Sequence, residues 1–273
     1  MNTPTADYLD FAMINGVIVA IEELKISPLG AGFMFGEGFF ETIRVEDAEA
    51  ELFDAHYGRL SVSLSYFEAT PRSSRDVLHA RCGEVIATNF LVTGSLKVIV
   101  FKDAGGWAEI ILARLVSYST EDYERGFKLK TTACDHRVDP IHSLKSLNYL
   151  TNIYAKRMAL AAGFDEAVLV DPRRQVLEGS STNVFMVKGG QVSTPTLQCG
   201  ILPGVMRACV IHRLAPPGIS ECAISLDELL WADEVFVTNS LLGIMPVARI
   251  DESIYDLNTN VVTRSLMSAL TLH

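Results

Sequence analysis

The stretch GSLKVIVFKDAGGWAEIILARLVSY, residues 94–118, constrains the fold more than any other. Two β-branched runs, GSLKVIVF and WAEIILARLVSY, are joined by only Lys102 to Gly106, the pattern of strands linked by a glycine turn. Upstream, FAMINGVIVAIEE alternates around Asn15-Gly16, a dipeptide that takes positive φ readily, and reads as a hairpin. GFMFGEGFFETIRVEDAEAELF has Gly36 and Gly38, a β-rich run, an acidic turn and a return strand. DAHYGRLSVSLSYF and RSSRDVLHARCGEVIATNF read as helices. Strands and helices in this mixture make residues 1–117 a small α/β (α+β) domain.

At SYSTEDYERG the chain turns polar, so residues 118–125 are expected to link this domain to a larger one over 126–273. That second part opens with a strand, KLKTTACDHRV. DEAVLVD, QVLEGS, NVFMVKGG and QVSTP are short β runs with turns at PRR and KGG. Pro203 opens a helix in GILPGVMRACVIHRLA. ISECAIS reads as a strand, SLDELLWA as a helix capped by Ser225, and DEVFVTNS and IMPVARI as strands before a short final helix. No internal repeat is present.

Composition excludes several function classes. The chain carries 33 acidic and 23 basic residues, a net charge of −10, and no basic block, so nucleic acid and anionic membranes are poor partners. No apolar run approaches a bilayer span, and MNTPTADYLDFAM lacks the charged and apolar regions of a secretory signal. The five cysteines are scattered without a CxxC pair, which fits reduced thiols in the cytoplasm. The six histidines show no metal-ligand spacing, and no metal is expected.

Lys145 raises a question of its own. It stands between Leu144 and Leu147, just before a helix in which apolar residues recur at Leu150, Ile153, Tyr154, Met158 and Ala161 and which Gly163 stops. In isolation such a lysine is most often solvated. Other features give it company. Glu178 ends a β run in LEGSSTNVF. Pro203-Gly204 starts a helix whose first amides suit an anion. VTNSLLGIMPV runs a strand into Thr238, Asn239 and Ser240. Arg59 follows His56 by one turn in DAHYGRL, and arginine is the side chain best suited to a phosphate. An amine, a lone acid, a helix start, hydroxyls and an arginine are the groups that hold pyridoxal phosphate.

In order and wording, FGEGFFETIRV, HYGRL, KSLNYLTNIYA, GFDEAVLVD, LEGSSTNVFMVKGG, GILPGVMR and DEVFVTNSLLGIMPV resemble the fold-type IV pyridoxal-phosphate enzymes, the class IV aminotransferases. The resemblance covers nearly the whole chain. It implies a two-domain fold like that of D-amino acid aminotransferase, with the cofactor, pyridoxal 5'-phosphate, at the domain interface, and a homodimer acting on a small molecule. It also implies roles. Lys145 is the Schiff-base lysine and proton carrier, Glu178 contacts the pyridine nitrogen, and Arg59 holds the phosphate. Val205 and Met206 give it backbone N–H groups, and Asn239 and Ser240 take its other side. An amine desolvated by leucines beside a cationic imine loses its proton more readily and serves as nucleophile and base.

Within the family, four details are similar to the 4-amino-4-deoxychorismate lyases. Thr42 stands where branched-chain aminotransferases have glycine; the lyases commonly have threonine there, which implies a hydroxyl that passes a proton to the leaving enolpyruvyl group. Gly243 stands where a glutamate is usual in the transaminases. LKVIVFKDAGG matches a lyase strand ending in a glycine pair, and Met206 matches some lyases. The expected reaction is elimination of pyruvate to leave 4-aminobenzoate for folate synthesis. The alternative is a transaminase acting on branched-chain amino acids, D-amino acids or amines. The arginine expected after that strand is missing, with Lys102 as its candidate substitute.

Overall fold

The computed structural model describes residues 8–69, 72–116, 118–135, 141–214 and 218–270. The chain divides into two compact units, residues 1–117 with Leu144–Asn148, and residues 118–143 with 149–272.

The first unit holds β1 (Tyr8–Ile14), β2 (Val17–Ala20), α1 (Ala31–Phe35), β3 (Gly38–Glu46), β4 (Glu49–Ala50), α2 (Phe53–Ser65), α3 (Arg75–Thr88), β5 (Gly94–Asp103) and β6 (Gly106–Arg114). Its six strands form one antiparallel sheet in the order β2-β1-β6-β5-β3-β4. Asn15 and Gly16 turn the β1–β2 hairpin at φ 52° and 89°, the left-handed pair that a tight turn between twisted strands requires. β3 alternates. Phe39, Ile43 and Val45 join a core with Phe53, Leu60 and Leu64 of α2 and Leu78, Cys82, Val85 and Ile86 of α3. Phe40, Thr42 and Arg44 therefore point from the opposite face.

The second unit holds α4 (Thr120–Arg125), β7 (Phe127–Ala133), α5 (Leu150–Ala161), β8 (Glu166–Val170), β9 (Val176–Gly179), β10 (Asn183–Lys188), β11 (Gln191–Pro195), α6 (Val205–Leu214), β12 (Ile219–Cys222), α7 (Leu226–Leu230), β13 (Glu234–Asn239), β14 (Gly243–Ile250), β15 (Ser253–Ile254) and α8 (Val261–Ala269). The sheet runs β12-β11-β10-β13-β14-β7-β8-β9, with β15 on β14, and mixes parallel and antiparallel pairs. Phe185 and Phe236 stack at 4.8 Å in its core.

The expected strand KLKTTACDHRV ends at Ala133, and its His136, Arg137 and Val138 lie outside the described residues. Inside the stretch 118–125, Ser119 starts a helix: its hydroxyl accepts from the Asp122 amide at 3.2 Å, and the Asp122 carboxylate accepts from the Ser119 amide at 2.9 Å. α5 forms as expected and ends before Gly163 at φ 82°. Its apolar stripe does not face the core, however. Leu150, Ile153, Tyr154 and Met158 are exposed, and the helix packs through Ala155 and Ala159 onto Ala167, Leu169 and Leu177. Small side chains let the helix approach the sheet closely, and that contact decides which face is buried. Among the described residues no helix is long and apolar enough to cross a membrane, and no His, Cys, Asp and Glu side chains cluster to hold a metal.

Candidate active site

Lys145 lies in the segment Leu144–Asn148, which belongs to the first unit. The segment runs along the start of β3. The Phe40 amide donates to the Lys145 carbonyl at 2.9 Å, the Leu147 amide donates to the Gly38 carbonyl at 2.9 Å, and Phe39 and Ser146 form a β-bridge. Leu144 enters the core that Phe39 shares. Leu147 packs with Phe101, Ala108 and Ile110. The leucines thus anchor the segment from both faces, and the lysine projects between them. Its Nζ stands 4.5 Å from the centroid of the Phe40 ring, a cation–π contact. Gly36 allows the approach. At φ 69° it is left-handed, and a Cβ there would lie 2.4 Å from Asn148 Oδ1, whose amide nitrogen donates to the Gly36 carbonyl at 3.2 Å.

Thr42 shares the Phe40 face of β3 and lies directly opposite Lys97 of β5. Lys97 Nζ is 4.7 Å from the same Phe40 ring. Burial, and then the nearby Arg114 charge, lower the Lys97 pKa. No carboxylate among the described residues bonds it. Lys102, the candidate substitute for the missing arginine, lies over the Trp107 ring at 5.6 Å and pairs with that residue in register.

On the other face of β3, Glu41 is buried at 2% exposure and gathers two residues of α2. Arg59 donates from Nε to Oε1 at 2.9 Å and from Nη2 to Oε2 at 2.5 Å, and His56 Nδ1 lies 2.7 Å from Oε2. Burial alone would raise the Glu41 pKa, but the Arg59 charge and the bonds from Arg59 and His56 overcome it and hold the value at about 2. Burial lowers the His56 pKa against the pull of Glu41, with the charges of Arg59 and Lys145 adding to it. His56 is therefore neutral at pH 7 and donates from Nδ1 to the carboxylate.

In the second unit, Glu178 stands near the end of β9. Its Oε2 accepts from the Leu202 amide at 3.1 Å and, at 3.4 Å, from Asn183 Nδ2, which also donates to the Leu202 carbonyl at 3.0 Å. A Cβ on Gly204 would sit 1.9 Å from Asn183 Oδ1, so only glycine fits there at the head of α6. The Ala208 amide bonds back to the Gly204 carbonyl at 3.0 Å. Val205 and Met206, both buried, stand in the first turn of α6, where a helix offers its own amides no acceptor. The Asn239 carboxamide is engaged locally: Oδ1 accepts from the Leu241 and Leu242 amides at 2.9 and 2.8 Å, and Nδ2 donates to the Ser181 carbonyl at 3.2 Å. Asn239 thereby shapes the loop that carries Ser240. Buried Glu166 braces Ser180 and Ser181 through both hydroxyls. Among the described residues, the hydroxyl oxygens of Thr182 and Thr238 are buried without a hydrogen-bond partner and so have a bond left to make.

Taken unit by unit, the amine and guanidinium of the first and the carboxylate, helix-start amides and hydroxyls of the second are residue types that suit a phosphorylated pyridine aldehyde. In the first unit Thr42 shares the Phe40 face of β3, whose ring Lys145 meets, while Arg59 pairs with Glu41 on the other face; Glu178, Val205, Met206, Asn239 and Ser240 lie in the second unit. Sequence reasoning missed Glu41, Lys97 and Asn183. Alternation along FETIR, set against His56 and Arg59 at helical spacing, is the signal that points to Glu41.

Residues 38–250 match the family Amino-transferase class IV. The chain is similar to a putative branched-chain-amino-acid aminotransferase of Methanocaldococcus jannaschii, 31% identical over 251 residues, covering 87% of each chain. It is also similar to an aminodeoxychorismate lyase of Bacillus subtilis, 29% identical over 267 residues, covering 93% of this chain and 91% of the other. The structure resembles the T.th. branched-chain amino acid aminotransferase solved in complex with N-(5'-phosphopyridoxyl)-L-glutamate. The TM-score is 0.85 at 25% identity, covering 96% of this chain and 92% of the other.

Proposed function

The chain belongs to the class IV aminotransferase family, a pyridoxal 5'-phosphate family, and on that premise we propose that it is a lyase converting 4-amino-4-deoxychorismate to 4-aminobenzoate and pyruvate. Pyridoxal phosphate, when bound, supplies the electron sink that lets a proton leave carbon next to nitrogen. The Lys145 amine would hold the cofactor and would take and return the substrate proton. Glu178 would pair with the ring nitrogen. Arg59, the Val205 and Met206 amides and Ser240 hold the phosphate, and Asn239 shapes the loop that presents Ser240. Lys97 takes a substrate carboxylate as a point charge.

The observation that carries the lyase reading is the placement of Thr42. Its hydroxyl shares a strand face with Phe40, whose ring meets the Lys145 amine. That supports Thr42 as the donor to the leaving enolpyruvyl oxygen. The runner-up, a transaminase acting on branched-chain amino acids, D-amino acids or amines, is favoured by the branched-chain enzymes among the relatives. A homodimer belongs to the proposal. Phe33, Met34 and Phe35 of α1 are exposed apolar side chains suited to a second copy, and sedimentation analysis tests it.

The test is formation of 4-aminobenzoate from aminodeoxychorismate by the purified, cofactor-loaded protein. Product that vanishes in Lys145→Ala and falls about a hundredfold in Thr42→Ala is the expected result. Keto acid from amino donors without any 4-aminobenzoate would replace the lyase with the transaminase.

A further inference from the structure

Arg59 is long and flexible, and a guanidinium on such a stem points nowhere in particular unless something holds it. Here its Nε and Nη2 edge is taken by Glu41 in a two-point fork, at 2.9 and 2.5 Å. Glu41 itself does not move easily. It sits within a nine-residue strand paired to β5 along its length, it is 2% exposed, and His56 gives its carboxylate a third bond at 2.7 Å. The five N–H groups of a guanidinium lie in one plane, so fixing one edge fixes the direction of the rest. The pairing also cancels the Arg59 charge locally. The fork therefore sets the direction of the guanidinium as well as its local charge.

We infer that Glu41 is a positioning residue for the cofactor phosphate, with His56 as its brace, acting through Arg59 and not by contact with the cofactor. The inference rests on the reading of Arg59 as a phosphate ligand. It assigns a role to a buried acid that the proposed chemistry leaves unused. It also explains why a carboxylate is tolerated where an anion is to bind: it neutralises the guanidinium while orienting it.

The experiment compares the affinity of apoprotein for pyridoxal 5'-phosphate with that for pyridoxal, which lacks the phosphate, by absorption titration. The ratio of the two isolates the phosphate contribution, because the amine chemistry is common to both. The variants are Arg59→Met, Glu41→Gln, the charge-conserving Glu41→Asp, and Glu41→Gln with Arg59→Met. Melting of each apoprotein reports folding separately. Arg59→Met must lower the ratio, and if it does not, the Arg59 reading fails before Glu41 is judged. Given that it does, Glu41→Gln and Glu41→Asp are expected to lower the ratio about tenfold, as loss of a group that orients a ligand-binding side chain does. In the Arg59→Met background Glu41→Gln should then have no further effect. A ratio unchanged by either Glu41 variant overturns the inference. So does an equal loss of both ligands, or a full loss added to that of Arg59→Met. Where Glu41→Gln does not fold, Glu41→Asp decides.

Discussion

At the scale of the residue, the buried Glu41–His56–Arg59 cluster makes stability depend on pH in one direction. The Glu41 carboxyl is held at about 2 in the folded chain, against an ordinary value of 4.5. The folded state binds fewer protons there, so this stabilisation is complete above pH 4.5 and is lost as the pH falls toward 2, on the order of 3 kcal/mol in all. His56 is displaced below its ordinary 6.5 by burial, so unfolding lets it take a proton below that pH. Both groups therefore favour unfolding on acidification. The melting temperature should decline below pH 6.5 and more steeply below 4.5, and Glu41→Gln should remove the lower limb while lowering stability at neutral pH. A pH series of thermal melts checks this. A lower limb that survives in Glu41→Gln would assign the acid sensitivity to other carboxylates.

Elements behave as their ends dictate. α7 is only five residues long and depends on a capping box in which the Ser225 hydroxyl accepts from the Glu228 amide at 3.2 Å and the Glu228 carboxylate accepts from the Ser225 amide at 2.8 Å. Ser225→Ala should destabilise the protein by about 1 kcal/mol, measured by urea unfolding with an unchanged slope. That cap was legible in SLDELLWA. The equivalent box at Ser119–Asp122 was equally present in the letters but lay in a polar stretch that reads as a link. α5 shows the other limit. Its start, end and periodicity follow from local residues, yet periodicity does not say which face meets the sheet. Alanines pack there and the large side chains stay outside, because a close helix–sheet approach excludes them.

For the whole molecule, two mixed α/β units follow from strands and helices that announce themselves by period and by turn residues such as Asn15-Gly16. Binding of the cofactor to the folded chain alone should raise stability by about 2.7 kcal/mol at a hundredfold excess over the dissociation constant. A rise in melting temperature on adding pyridoxal 5'-phosphate, reduced in Lys145→Ala, is the expected outcome. No rise in the unaltered protein would remove the cofactor from the functional reading. By itself the sequence determined the order of elements, the caps and the residue types of the chemistry, because these depend on neighbours close along the chain or on motifs read as written. Only the tertiary structure decided that Glu41 lies under Arg59, that Lys97 and not Lys102 stands opposite Thr42, and that Lys145 is pinned along β3. Those relations join residues far apart in sequence. They are set by strand register and by the packing of α2 on the sheet, which no local pattern specifies.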